Sequence, residues 1–162
     1  MAIRVVMAGA TGWVGRALIP AIAAQGDMTL AGAVARNAAG QDSGTALGFA
    51  PNGVAVSATL DEALALPSDV VVDYTKPDVV KGNTLTAISN GRHVVIGTSG
   101  LGAAIEAAWA TEPRQIVVQT CTLDHPAALP LYQKLGFSPV GQKREQVQPM
   151  PFEERAASVM RP

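Results

Sequence analysis

Residues 3–15 read IRVVMAGATGWVG, and this stretch decides how the chain begins to fold. Residues 3–8 are a largely apolar run, which is typical of a strand buried on both faces of a sheet. A G-x-x-G-x-x-G pattern follows at once from Gly9 to Gly15, and residues 14–24 have helical apolar spacing. A strand, a glycine-rich turn and a helix in this order indicate the first βα unit of an α/β domain.

The glycine turn has a chemical use as well as a structural one. In such turns the first glycine allows the tight bend, the second lets backbone approach a pyrophosphate, and the third lets the helix pack on the strand. The N–H groups at the helix N-terminus attract phosphate, and a threonine hydroxyl in the turn adds a donor. A tight turn without a ligand is the alternative. We predict that a dinucleotide binds at Gly9, Ala10, Thr11, Gly12, Trp13, Val14 and Gly15.

The end of the second strand normally selects the cofactor, at a position about 20 residues beyond the glycine turn. An acid there favours NAD(H), whereas an arginine accommodates the 2′-phosphate of NADP(H). Here the strand ends in Val34-Ala35-Arg36-Asn37, which contains no acid. Because a guanidinium group pairs well with phosphate, Arg36 favours NADP(H) over NAD(H). The alternative is that Arg36 is an ordinary solvated surface residue.

Strand and helix patterns alternate along the chain, and this alternation is typical of a parallel sheet covered on both faces. We predict strands at 3–8, 28–35, 54–57, 70–74, 93–97, 116–120 and 137–146, and helices at 14–24, 61–64, 77–90, 101–111 and 127–135. Residues 36–50 are expected to form a loop. The sequence therefore predicts a doubly wound, mostly parallel, three-layered Rossmann-like α/β fold, with one domain over 1–146 and an irregular tail over 147–162.

Composition narrows the classes of function. Hydrophobic residues make up 48% of the 162 residues, charged residues 15%, and the net charge is −1, so nucleic acid and anionic membranes are not expected partners. The single cysteine, Cys121, fits a reducing compartment, and we expect a cytoplasmic protein without a leader peptide. No Cys/His cluster has the spacing of metal ligands, so no metal is expected.

Four motifs, in the same order along the chain, resemble the N-terminal domain of dihydrodipicolinate reductase over residues 1–101. They are residues 5–12 (VVMAGATG), 32–36 (GAVAR), 70–77 (VVVDYTKP) and 96–101 (IGTSGL). The resemblance implies NAD(P)H-dependent reduction in lysine biosynthesis. The family's Asp-Phe-Thr strand end appears here as Asp73-Tyr74-Thr75, and its Gly-Thr-Thr-Gly loop, which lies by the nicotinamide, appears as Gly97-Thr98-Ser99-Gly100. The resemblance therefore implies that Tyr74, Thr75, Gly97, Thr98 and Ser99 bind the cofactor.

The sequence departs from that family in three places. An Arg-Met pair is usual where this chain has Trp13 and Val14, so one cation on the phosphate side is missing. Ala35 stands where an acid often precedes the position of Arg36. After residue 101 the family's His-rich catalytic motif and its lysine are not found, and the two histidines, His93 and His125, lie in other contexts.

Residues 100–146 instead resemble the C-terminal half of a GNAT-type N-acetyltransferase. The resemblance is carried by residues 100–102 (GLG), 104–110, 116–126 (IVVQTCTLDHP) and 131–137 (LYQKLGF). In that family a tyrosine on this helix often protonates the departing CoA thiolate, which implies such a role for Tyr132; a buried packing tyrosine is the alternative. That family's N-terminal strands, which build its substrate site, are absent from this sequence.

Four hypotheses of function remain open at this point. The first is a domain that binds NADP(H) without a complete catalytic site, with catalytic residues unknown. The second is an active reductase of the lysine-biosynthesis type, and the third is an acetyl-CoA-binding protein that uses Tyr132. The fourth is a chimeric fold without a ligand. An apolar composition and the sheet edge predicted at 137–146 favour a homodimer.

Overall fold

The computed structural model describes residues 1–98, 102–119 and 127–143. The chain divides into two compact units, Met1–Val117 and Val118–Pro162, and each is described by itself. In the first unit the strands are β1 (Ile3–Ala8), β2 (Met28–Val34), β3 (Val56–Ser57), β4 (Val70–Asp73) and β5 (His93–Ile96). Its helices are α1 (Trp13–Ala23), α2 (Ser43–Ala46), α3 (Leu60–Leu64), α4 (Pro77–Ser89) and α5 (Gly102–Trp109), and a 3₁₀ turn spans Arg36–Ala38. The second unit contains α6 (Ala128–Lys134).

The five strands form one parallel sheet in the order β3-β2-β1-β4-β5. The chain winds outward from β1 to β3 and then returns to the other side of β1, so β1 and β4 meet at a topological switch point. The carboxyl ends of β2, β1, β4 and β5 lie at the same level of the sheet, because Ala8 pairs with both Val34 and Asp73, and Asp73 pairs with Ile96. The predicted Rossmann-like α/β fold is confirmed.

Alternate residues of β1 build two cores on opposite faces of the sheet, as the period of a strand requires. Val6 and Ala8 pack with residues of α3 and α4 on one face, including Leu60 and Ala87. Met7, on the other face, packs with residues of α1 and of the segment after β2. All three residues are fully buried. Because both faces are covered here, β1 has apolar residues at consecutive positions, and a simple alternation of apolar and polar residues is not seen.

Helix α4 begins as the sequence predicts, with Pro77 in its first turn and Asp78 beside the positive end of the helix dipole. Helix α3 begins with a capping box, in which Thr59 accepts from the backbone N–H of Glu62 and the Glu62 carboxylate accepts from that of Thr59. None of the helices within the described ranges is long and apolar enough to cross a bilayer.

Gly82 lies inside α4, is exposed, and would place an added Cβ in open space. Glycine in a helix interior costs more backbone entropy than alanine, so we expect Gly82→Ala to raise the free energy of unfolding by about 1 kcal/mol. Chemical denaturation followed by circular dichroism measures this change. A loss of stability would contradict the helical environment seen at this position.

An ion pair joins β1 to the start of β4 at the edge of the sheet away from the glycine turn. Arg4 donates to the Asp69 carboxylate from its backbone N at 2.8 Å, from Nε at 3.0 Å and from Nη2 at 2.7 Å. The hydrogen bonds from the Arg4 side chain and backbone hold the pKa of the Asp69 carboxyl well below its usual range. Both side chains are partly exposed, so the ion pair adds little to the stability of the fold.

Residues 36–50 are more ordered than the predicted loop. They contain the 3₁₀ turn and the single helical turn of α2. The Asp42 carboxylate accepts hydrogen bonds from the backbone N–H groups of Thr45, Asn52 and Gly53 at 3.1, 3.1 and 2.8 Å. These bonds, the one from Thr45 first, lower the pKa of Asp42. One carboxylate therefore caps α2 and ties it to the backbone at Asn52 and Gly53, which the sequence pattern does not reveal.

Two predicted strands are wrong within the described residues. Residues 116–119 were expected to form a sixth strand beside β5, but they form neither helix nor strand. Residues 137–143 also lack a strand, and here Pro139 removes one of the N–H donors that a strand needs. An apolar run forms a strand only where a neighbouring strand pairs with it. Residues 120 and 144–162 lie outside the described residues, so the irregular tail and the single domain over 1–146 stay predictions.

Candidate functional site

The glycine turn lies where β1, β2 and β4 end. Gly9 has a φ of +83°, and an added Cβ would lie 2.6 Å from the carbonyl oxygen of Tyr74. The backbone N–H groups of Gly9 and Ala10 both donate to the carbonyl oxygen of Val34, at 3.0 Å each. Only glycine fits this left-handed conformation and this close approach, so the sequence fixes the turn against both neighbouring strands.

Helix α1 starts directly at the turn. Gly12 is the N-cap residue, its N–H donates to the carbonyl oxygen of Gly9 at 3.0 Å, and no side chain caps the helix. Gly15 is buried, and an added Cβ would overlap the carbonyl oxygen of Ala10 and lie 2.5 Å from that of Gly9. The N–H groups of Trp13, Val14 and Gly15 have no acceptor within the helix and point out of its N-terminus. This is the arrangement that binds a phosphate group.

The predicted residues of the turn do not all offer the same groups. The N–H groups of Gly9 and Ala10 are already bonded to Val34, and the Ala10 side chain is 1% exposed and belongs to the core. Thr11 and Trp13 are exposed, Trp13 to 73%. The groups that the turn leaves open to a ligand are therefore the Thr11 hydroxyl, the Trp13 indole and the N–H groups of the first helical turn.

Arg36 is exposed in the 3₁₀ turn that follows β2. The preceding residue, Ala35, is buried and donates its N–H to the carbonyl oxygen of Ser57 at 3.0 Å. This bond fixes the backbone where Arg36 leaves the sheet. The structure thus places a guanidinium group beyond the end of β2, as the sequence predicts. A second cation that was not predicted, Arg16 on α1, lies over the ring of Phe49 at 5.4 Å from its centroid.

On the other side of β1, Tyr74 and Gly97 meet at the ends of β4 and β5. The Tyr74 N–H donates to the carbonyl oxygen of Ala8 at 3.0 Å. An added Cβ at Gly97 would overlap the Tyr74 ring and lie 2.5 Å from its Oη. The Tyr74 ring therefore lies directly against the Gly97 backbone, and a residue larger than glycine at 97 would require the ring to shift.

A fully buried carboxylate joins these loops. Asp73, the last residue of β4, is 0% exposed. Its Oδ1 accepts from the backbone N of Thr75 at 2.8 Å, from Thr75 Oγ1 at 2.6 Å and from Thr98 Oγ1 at 3.4 Å. Its Oδ2 accepts from Asn83 Nδ2 at 2.8 Å.

The sequence indicated Thr75 and Thr98 as site residues and placed Asp73 in a family motif without assigning it a role, and it did not single out Asn83. The signal that could have found Asp73 is an acid at the end of an all-valine strand with a threonine two residues later. Ser99, also predicted for the site, lies outside the described residues, as do Cys121 and His125.

Tyr132 lies on α6 in the second unit. It is half-buried, and its ring packs edge-to-face against Phe137, with centroids 6.1 Å apart and planes at 73°. This contact fits a packing role and does not test the thiolate role that the acetyltransferase resemblance implies. Both that role and the resemblance of residues 100–146 stay predictions.

Comparison with known protein families matches most of the chain. Residues 3–120 match the family described as dihydrodipicolinate reductase, N-terminus. The chain belongs to this family. The predicted resemblance over 1–101 is confirmed, and the match continues beyond residue 101, where the sequence resemblance was expected to stop.

Relatives with established names are called 4-hydroxy-tetrahydrodipicolinate reductase. The one from Synechococcus elongatus is 47% identical over 106 residues, covering 61% of this chain and 39% of that protein. The one from Desulfitobacterium hafniense is 37% identical over 120 residues, covering 73% of this chain and 43% of that protein. The chain thus spans about two-fifths of the length of the curated relatives it matches.

Solved structures show the same fold. Dihydrodipicolinate reductase from Paenisporosarcina sp. TG-14, with dipicolinate bound, superposes with a TM-score of 0.53 at 26% identity, over 69% of this chain and 45% of that one. GenD2 from gentamicin A biosynthesis, in complex with NAD, gives 0.56 at 27% identity, over 72% of this chain and 33% of that one.

Proposed function

We propose that this chain binds NADP(H) at the carboxyl edge of its sheet, as the nucleotide-binding part of a reductase of the dihydrodipicolinate type. The observation that carries the proposal is the uncapped N-terminus of α1, which begins at Gly12 beside the switch point between β1 and β4. A dinucleotide pyrophosphate is the ligand that such a turn accepts in parallel α/β sheets.

The rest of the ligand follows from the order of the strands. The end of β2 is the usual place of the adenosine ribose, so Arg36 would receive the 2′-phosphate. The nicotinamide half then extends across β1 towards β4 and β5, where Tyr74, Thr75, Gly97 and Thr98 lie. The bound cofactor would supply a hydride to a substrate. The chain's own residues would bind and orient the cofactor, and we assign no catalytic residue.

The names of the relatives support the chemical class. Curated reductases between 37% and 47% identical are named for reduction of 4-hydroxy-tetrahydrodipicolinate, and GenD2 holds NAD on a similar fold. Activity on that substrate is therefore the reaction to assay first. Acetyl-CoA binding by residues 100–146 and assembly into a homodimer stay predictions.

Calorimetric titration of the full chain with NADPH, NADH and acetyl-CoA tests the proposal. We expect NADPH to bind with a dissociation constant in the micromolar range, on the order of −8 kcal/mol, and more tightly than NADH. Binding of acetyl-CoA with no binding of either nicotinamide cofactor would overturn the proposal. Size-exclusion chromatography with light scattering tests the homodimer on the same sample.

Arg36→Ala tests which cofactor the site prefers. If Arg36 pairs with the 2′-phosphate, this change weakens NADPH binding about tenfold, because a charge-assisted hydrogen bond to phosphate is lost. Binding of NADH, which lacks that phosphate, changes less than about twofold. Lys81→Ala is the matched control, since it removes one exposed positive charge from α4. Equal losses for NADPH and NADH would contradict the assignment of Arg36.

A further inference from the structure

We infer that Asp73 is a positioning residue for the nicotinamide end of the bound cofactor, acting through Thr75, Thr98 and Asn83. This inference rests on the proposed function, because it concerns the same groove. Asp73 itself is fully buried and does not reach the surface that a ligand would touch. Its effect would come from the loops whose conformation it fixes.

The hydrogen bonds of Asp73 lead to three separate segments. The backbone N–H and the hydroxyl of Thr75 belong to the loop after β4, and both bond to Oδ1. The Thr98 hydroxyl belongs to the segment after β5 and is shared between Oδ1 and the Asp73 carbonyl oxygen, at 3.4 Å each. The Asn83 amide comes from the middle of α4 and bonds to Oδ2.

These bonds hold the pair formed by Tyr74 and Gly97. Tyr74 lies between Asp73 and Thr75, and the backbone on both sides of it is bonded, by Tyr74 N to Ala8 and by Thr75 N to Asp73. Gly97 precedes Thr98, and its own N–H donates to the Asp73 carbonyl oxygen at 3.0 Å. The carboxylate itself accepts from Thr75, one residue after Tyr74, and from Thr98, one residue after Gly97, so it anchors the chain next to both members of the pair.

The location decides which half of the ligand is affected. Asp73 pairs with Ala8 and Ile96, so it lies on the β4–β5 side of β1, away from Arg36 at the end of β2. The adenosine half lies towards β2, and the nicotinamide half lies towards β4 and β5. A change at Asp73 should therefore alter contacts with the nicotinamide half and leave contacts with the adenosine half intact.

Burial of the carboxylate is difficult to explain by sheet stability alone. A charged group without contact to water loses its hydration, and an apolar residue of similar volume often stabilises such a position as well or better. What an apolar residue cannot do is fix several donors in one geometry. Two of the donors, Thr75 and Thr98, directly follow Tyr74 and Gly97 along the chain, and Asn83 holds the other oxygen of the same carboxylate.

Asn83→Ala is the primary test, with Asn90→Ala as its matched control. Both asparagines lie on or at the end of α4, and each donates one side-chain hydrogen bond of 2.8 Å, Asn83 to Asp73 and Asn90 to the Thr86 carbonyl oxygen. The two probes are NADPH and 2′,5′-ADP, which represents the adenosine half alone. Binding is measured by calorimetry, and folding is checked by thermal unfolding.

We expect Asn83→Ala to weaken NADPH binding about tenfold and to change 2′,5′-ADP binding less than about twofold, whereas Asn90→Ala changes neither. Equal losses of both probes in Asn83→Ala would indicate a merely structural role and overturn the inference. Unchanged NADPH binding in Asn83→Ala would also overturn it, with the proposed function left standing. Failure of the wild-type chain to bind NADPH would instead overturn the proposed function.

A reciprocal exchange keeps the inference testable if a single variant does not fold. In the double variant Asp73→Asn with Asn83→Asp, the amide introduced at position 73 can donate to the carboxylate introduced at position 83, while the amide oxygen still accepts from Thr75. We expect the exchange to restore NADPH affinity to within about threefold of wild type. An exchange variant that folds but binds NADPH at least about tenfold more weakly than wild type would contradict the positioning role.

Discussion

A Gly12→Val variant is expected to lose at least about a hundredfold in affinity for NADPH while keeping its fold. Gly12 has φ −71° and ψ 171°, which valine adopts readily, and an added Cβ would lie 3.1 Å from the Gly9 carbonyl oxygen, so the backbone has only to give slightly. The branched side chain would stand at the N-terminus of α1 and keep a pyrophosphate away from the N–H groups there. Calorimetry measures the affinity, where a hundredfold corresponds to about 2.7 kcal/mol.

Ala17→Val is the control for this prediction. It adds similar bulk to an exposed position of the same helix, beyond the first turn. We expect NADPH affinity to stay within about twofold of wild type in that variant. If Gly12→Val bound NADPH as well as Ala17→Val does, the pyrophosphate could not lie at the start of α1, and the proposed site would be wrong.

Gly12→Val is expected to lower affinity and keep the fold, whereas Gly15→Ala is expected to lower the free energy of unfolding by a large amount. The added Cβ would overlap the carbonyl oxygen of Ala10 and lie 2.5 Å from that of Gly9. Both obstacles are backbone atoms, so they cannot turn aside as a side chain can, and α1 would have to move away from β1. Forcing atoms into a packed site of this kind costs about 3 kcal/mol or more in the free energy of unfolding. Urea denaturation followed by circular dichroism measures it.

Comparison with Gly82→Ala separates the effect of close backbone contact from the effect of helix propensity. Both glycines lie in helices, and alanine favours a helix at either place. Gly82→Ala should therefore stabilise the chain and Gly15→Ala should destabilise it. If Gly15→Ala proved neutral, the close contact between α1 and the turn after β1 could not be present in solution.

The parts of the fold that depend on local chemistry could be predicted from the sequence. The requirement for glycine at the turn comes from chain conformation and close approach, which leave a direct mark in residues 9–15. The position of Arg36 just beyond β2 could be predicted because the end of the second strand has a fixed place in this class of sheet. Pro77 at the start of α4 was recognised by the same kind of local rule.

The parts that depend on distant partners could not be predicted. Residues 116–119 have the composition of a strand, but pairing with β5 is a tertiary event that no local pattern guarantees. The sequence places Asp73 in a family motif but does not reveal what it does, because its donors come from positions 75, 83 and 98, and only the folded chain brings these together. Asp42 is a similar case, since two of its donors, the N–H groups of Asn52 and Gly53, lie ten and eleven residues further along the chain.

The carbonyl oxygen of Val34, which accepts from both Gly9 and Ala10, has a consequence for how cofactor preference can change. The hydrogen bonds between the glycine turn and β2 are made by main-chain atoms, two residues before Arg36. The exposed side chain at 36 can therefore be exchanged during evolution or by design without breaking these bonds, whereas Ala35 is buried in the same core as Ala10. Affinity for the part that NADPH and NADH share would depend on the glycine turn, and selection between the two cofactors would depend on residue 36. The two properties could therefore change independently in this chain.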